Sequence, residues 1–150
     1  EKDGEIENTK NLIKKIVKII RKVKPDIVMS FDPAYRFGDF YRSHRDHRIV
    51  GEAVFDSIYP AAGSDAHFPE LIKEGYSPHK IKEAWFFATD KPNVFVDVSK
   101  TIEKKLQTLK QHDSQFTDFN LVEKRIKSWA RATGRKAKMK YAEGFRRVEL

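Results

Sequence analysis

The stretch Ser43–Val54, SHRDHRIVGEAV, packs His44, Arg45, Asp46, His47 and Arg48 into five consecutive positions ahead of an apolar, helix-like pattern. Two histidines three apart reach one point in space if the backbone there is helical. Neutral imidazole is a good zinc ligand, and a catalytic zinc takes three protein ligands and keeps one open position. The spacing therefore allows a metal site but does not complete one, because His67, His79 and His112 are scattered and no H-E-x-x-H occurs. The plainer reading is an Asp46 helix cap with solvated charges around it. The H-R-D at His44–Asp46 also opens a kinase catalytic loop. That loop needs Lys and Asn where this chain has Arg48 and Gly51, and there is no glycine-rich phosphate loop, so the kinase reading fails. The His112-Asp113 pair is too short a pattern to carry a phosphohydrolase.

The elements that must position this cluster can be read from periodicity. Leu12, Ile13, Ile16, Val17, Ile20 and Val23 make one apolar stripe, with Lys14, Lys15, Lys18, Arg21 and Lys22 around it. The helix they predict starts at a Thr9 cap and stops before Pro25. Asp26–Phe31 reads as a short buried strand, so the order is that of an α/β layer with a parallel sheet. The loop that follows lies at the carboxyl end of this strand, where open α/β sheets bind ligands. The next helix is expected from His47 to Tyr59, capped by Asp46. Pro60–Lys80 reads as a functional loop or lid. Lys82–Thr89 and Asn93–Ser99 read as strands, and Ser99 as the cap of a helix burying Ile102, Leu106 and Leu109. A last helix over Leu121–Ala132, ending near Gly134, leads to a tail expected to return as a strand.

The fold class is thus α/β, an open, mostly parallel, Rossmann-like sheet with flanking helices. The inventory opens on a helix with no strand before it, so N-terminal strands are expected to be missing. A chain of 150 residues has room for one core. With no cysteine, disulfides and thiolate ligands are excluded, and any metal must be held by His, Asp or Glu. No apolar run of about 18 residues exists to cross a membrane, and no secretory leader is visible, so a cytoplasmic location is expected. The charged fraction of 35% leans toward a heat-adapted source. The net charge of +8 raises a rival from another class, a non-catalytic basic α/β domain binding nucleic acid or a protein partner. Much of the lysine falls on outer helix faces, which makes nucleic acid the weaker expectation.

In order along the chain, KPDIVMSFDP, HRDHRIVGEAV, FVDVSKTIEKKLQTLKQHDSQF and KYAEGFR resemble the C-terminal part of the PIG-L/LmbE-like zinc N-deacetylases, most of all archaeal-type diacetylchitobiose deacetylases. The likeness runs from Asn8 to Val148. The family's H-P-D-H carries Arg45 here in place of proline, and its A-H-P-D-D-E motif matches nothing in the chain. The resemblance implies the C-terminal part of a single deacetylase domain over residues 1–150. The activity implied is zinc-dependent removal of acetyl from an N-acetylglucosamine-type sugar, by zinc-activated water attacking the acetamide carbonyl. By position, His47 is expected to be a metal ligand, and His44 the group that stabilises the oxyanion or protonates the amine. Asp46 is expected to tune His44 or cap the helix, and Arg42 and Tyr41 to face the substrate. The remaining Zn2+ ligands and the general base belong to the missing segment, so the chain alone is expected to be inactive. The implied partners are an N-acetylated amino sugar, that missing segment, and further copies in a homo-oligomer. Tyr35, Phe37 and Phe40 are candidates to stack on a sugar face or to plug the core.

Overall fold

The computed structural model describes residues 2–37 and 44–150. Its elements are α1 (Lys10–Val23), β1 (Ile27–Phe31), α2 (Arg45–Asp56), α3 (Pro69–Lys73), β2 (Glu83–Phe87), β3 (Val94–Asp97), α4 (Ile102–Lys110), α5 (Phe119–Lys136) and β4 (Ala142–Glu149). The four strands are ordered β1-β2-β4-β3. β1 pairs parallel to β2, with Ile27 opposite Glu83. β4 returns antiparallel beside β2, with Ala84 opposite Val148. The open α/β sheet is the expected one, and the returning tail makes it mixed. The chain forms two compact units, residues 1–92 with 145–150, and residues 93–144.

In the first unit, α1 begins where Thr9 Oγ1 accepts the amide of Leu12 at 3.1 Å, satisfying one of the free donors of the first turn. It ends at Lys24, which turns left-handed at φ 53° and returns its amide to Ile20. Ile20 and Ile16 of its stripe pack with Val28, Ile58, Ala62, Ile81, Ala84, Phe86 and Val148. Val17 joins a second cluster with Ala61, Phe68 and Leu71. The period of two in a strand then fixes the other face of β1. Val28 and Ser30 point to this core, whereas Ile27 and Met29 are about half exposed, at 46% and 53%.

The 60–80 region carries more order than expected. A π-type turn over Ser57–Ala61 and the short α3 lie within it or at its start. Arg21, placed by its neighbours among the solvated lysines, is 1% exposed. Its guanidinium donates to the carbonyls of Ala61, Ala62, Ser64, His67 and Phe68 at 2.7–3.4 Å. Desolvation lowers its pKa from the usual value, and Glu70 opposes this. A buried charge is tolerated here because five carbonyl dipoles replace water.

In the second unit, Ile102 of α4, Ala130 of α5 and Tyr141 form the core, with Val98 and Ile126 against it. The cap of α4 is Thr101, not Ser99. Ser99 Oγ instead receives the amide of Tyr141 at 3.1 Å. Nor does α5 stop near Gly134; it runs on to Lys136. A Cβ at Gly134 would stand 2.5 Å from the Met139 carbonyl oxygen. That glycine serves close chain approach rather than helix termination. Among the described residues no helix is long and apolar enough to cross a membrane.

Candidate metal and acid–base site

The first turn of α2 carries the site. The helix starts at Arg45, two residues earlier than expected, because His44 caps it in place of Asp46: its Nδ1 accepts the Asp46 amide at 3.3 Å. With Nδ1 accepting, the proton of a neutral His44 sits on Nε2. Asp46 lies inside the first turn, where its negative charge is favoured by the helix dipole. His47 follows three positions after His44, and the two rings are 5.3 Å apart. The two histidine rings therefore stand side by side on one turn.

Two features seat this turn against the carboxyl end of β1. The ring of Phe31 stacks on His47 at 4.1 Å and 7°. Gly51, one turn further along α2, lets the helix approach the strand: a Cβ there would meet the Phe31 carbonyl oxygen at 2.8 Å and Pro33 N at 3.3 Å. Both contacts are backbone and cannot swing aside. Gly51→Ala is therefore expected to cost about 1–3 kcal/mol by overpacking, read as a lower midpoint in urea with unchanged slope.

A segment that the sequence reading passed over completes the cluster. Gly4, at φ 80°, donates its amide to Asp46 Oδ2 at 2.6 Å. Arg45, the residue standing where the family has proline, donates Nη1 to the carbonyls of Gly4 (2.9 Å) and Ile6 (2.6 Å). This clasp brings Asp3 to the site. Asp3, His44 and Asp46 each offer a ligand atom within 4.8 Å of the others. The legible signal was the Asp-Gly pair itself, a turn former next to a carboxylate. Its partner, more than forty positions away, was not legible.

The donors present fit a divalent metal. Among the described residues His47 Nδ1 is buried without a hydrogen-bond partner, and an orphaned imidazole nitrogen is what a ligand bond satisfies. Burial first, and the neighbouring His44 second, lower the His47 pKa from 6.5, against the opposing pull of Asp46 and Asp3. The ring is thereby kept in the neutral, ligating form. A histidine held neutral by the fold contributes stability above its unfolded pKa and loses it as pH falls. The metal-free chain is therefore expected to lose stability as pH drops below about 6.5. His47→Gln should flatten that slope in denaturant titrations at successive pH values.

Arg42 and Tyr41, expected to face the substrate, lie outside the described residues, as does Phe40. Of the other loop aromatics, Tyr35 is buried and Phe37 is exposed.

The sequence model of the family "PIG-L: GlcNAc-PI de-N-acetylase" matches residues 1–58, a span holding both Asp3 and the α2 turn. Diacetylchitobiose deacetylase of Thermococcus kodakarensis is 36% identical over 97% of this chain and 54% of its own length. A probable N-acetyl-alpha-D-glucosaminyl L-malate deacetylase 2 of Bacillus anthracis is 28% identical over 77% of the chain and 46% of its own. The solved structure of N,N'-diacetylchitobiose deacetylase from Pyrococcus horikoshii superimposes with a TM-score of 0.90 at 30% identity, covering 99% of this chain and 55% of that one. The chain thus spans about half the length of the relatives it matches. By the family model over residues 1–58, and by its relatives over nearly all of its residues, this chain is similar to the PIG-L de-N-acetylases.

Proposed function

We propose that residues 1–150 are the C-terminal part of a single zinc-dependent deacetylase domain that hydrolyses the acetamide of an N-acetylglucosamine-type sugar, diacetylchitobiose being the first substrate to try. The observation that carries this reading is the His44–His47 pair on one helical turn, with the orphaned His47 nitrogen behind it. The names of the relatives support the substrate class.

His47 would hold the metal through a ring nitrogen, braced by Phe31. Bound there, zinc would supply Lewis acidity toward the amide carbonyl and toward water. His44 is exposed on the cap of α2 and is free to move a proton at Nε2. Amide cleavage needs such a group: as the C–N bond breaks, the nitrogen leaves with the bonding pair and must gain a proton to depart as an amine. The imidazolium form also stabilises negative charge developing on the carbonyl oxygen. Asp46 positions this pair by fixing the helix start and the Gly4 segment at once. Arg42 and Tyr41 are proposed to approach the sugar.

The remaining metal ligands and the base that takes the proton from water are assigned to the portion of the relatives that this chain does not match. Supporting that assignment, β1 lies at the edge of the sheet and its outward residues Ile27 and Met29 are half exposed. An open strand edge with an apolar face accepts further strand and helix cover. The 150-residue chain alone is accordingly expected to release no acetate from diacetylchitobiose at any zinc concentration. Turnover by the isolated chain, abolished by His44→Ala, would show that the site is complete without that segment. Further copies of the chain in a homo-oligomer, and a cytoplasmic location, remain part of the proposal.

A further inference from the structure

We propose that Asp3, His44 and Asp46 form a second divalent-cation site, distinct from the one assigned to His47. The three donors come from two segments that the fold brings together, and their ligand atoms lie within 4.8 Å of one another. Asp46 supplies the independent sign of a ligand. The residue is 6% exposed, and its Oδ1 is buried with no hydrogen-bond donor among the described residues. Arg45 Nη1 faces this oxygen at 3.6 Å, an ion pair and not a hydrogen bond, and that same Nη1 already donates to the Gly4 and Ile6 carbonyls. A carboxylate oxygen removed from water is costly unless something positive or a donor meets it. Asp46 Oδ2 is already used by the Gly4 amide, so the orphan is the oxygen left for a ligand.

The donor chemistry narrows the occupant. Two carboxylates and one imidazole suit a first-row divalent ion such as zinc, cobalt or manganese, rather than a soft thiolate-seeking metal or an all-oxygen calcium cage. Asp3 is exposed and leaves the site open to solvent on its side. One consequence rests on the proposed role of His44: an imidazole that ligates this cation no longer moves a proton. Occupancy and turnover then exclude each other, and the cation regulates the reaction instead of driving it.

The test uses the 150-residue chain and Co2+ alone, without substrate, so its outcome is independent of whether the deacetylase reading holds. Cobalt is followed by calorimetry and by its visible ligand-field bands. The chain should take up one equivalent. Asp3→Asn, a change of one exposed charge, should weaken binding about tenfold or more, and Asp46→Asn likewise, with circular dichroism confirming the fold of each. His47→Gln should leave affinity unchanged within about twofold. Three results overturn the proposal: no uptake up to millimolar Co2+, binding indifferent to Asp3→Asn in the folded variant, or binding lost with His47→Gln.

Discussion

His44→Ala, made in a complete enzyme that carries this chain, is expected to lower acetate release by about 10²–10⁴-fold, the usual worth of a positioned acid or base. It should leave in place the zinc proposed to be held through His47. His47→Ala is expected to remove that zinc together with activity. The contrast follows from the two environments on one turn. His44 is exposed, with one nitrogen engaged by the helix amide and the other free for a proton. His47 is stacked under Phe31, its Nδ1 is shut off from water with no partner among the described residues, and burial favours its neutral form. Metal analysis and kcat on both variants separate these roles. Equal zinc loss in both variants would remove the distinction between them.

The second large effect is on stability and lies far from the chemistry. Arg21→Met keeps much of the aliphatic volume but withdraws donors from five carbonyls between Ala61 and Phe68. Deleting one side of a buried charged network costs roughly 3–5 kcal/mol, since the groups left behind stay out of water and unpaired. For a chain of this size that is a fall in Tm on the order of 10 °C. Thermal unfolding checks it, and proteolysis should cut first between residues 61 and 68. A neighbouring change on the solvated face of α1, such as Lys22→Met, should do neither.

What the sequence made legible was whatever is local. Thr9 caps α1 as read, the IVMSF strand is β1, and the apolar stripe of α1 meets the core through Ile20 and Val17. The start of α2 was misplaced because Asp46 looked the better cap. An imidazole nitrogen took that task, and Asp46 turned inward to hold Gly4. Gly134 looked like a helix end because its reason for being glycine is the Met139 carbonyl on the returning chain. Arg21 was grouped with its lysine neighbours, since nothing near it in sequence announces the carbonyls that converge on it. Asp3 was missed for the same cause: its place beside His44 depends on a clasp closed by Arg45 across some forty residues. Pairwise spacing shows which residues one helix turn brings together, and folding decides which distant segment joins them.

The central claim is that this chain contributes a metal-holding His47 and a proton-moving His44 to an amide hydrolase. It is tested most directly by joining the unmatched portion of the Thermococcus kodakarensis relative ahead of Glu1 and measuring acetate release from diacetylchitobiose with zinc. The account predicts turnover by this chimera, lost with either His44→Ala or His47→Ala while the fold persists. A folded, zinc-loaded chimera that releases no acetate, or one whose turnover survives both substitutions, would contradict it.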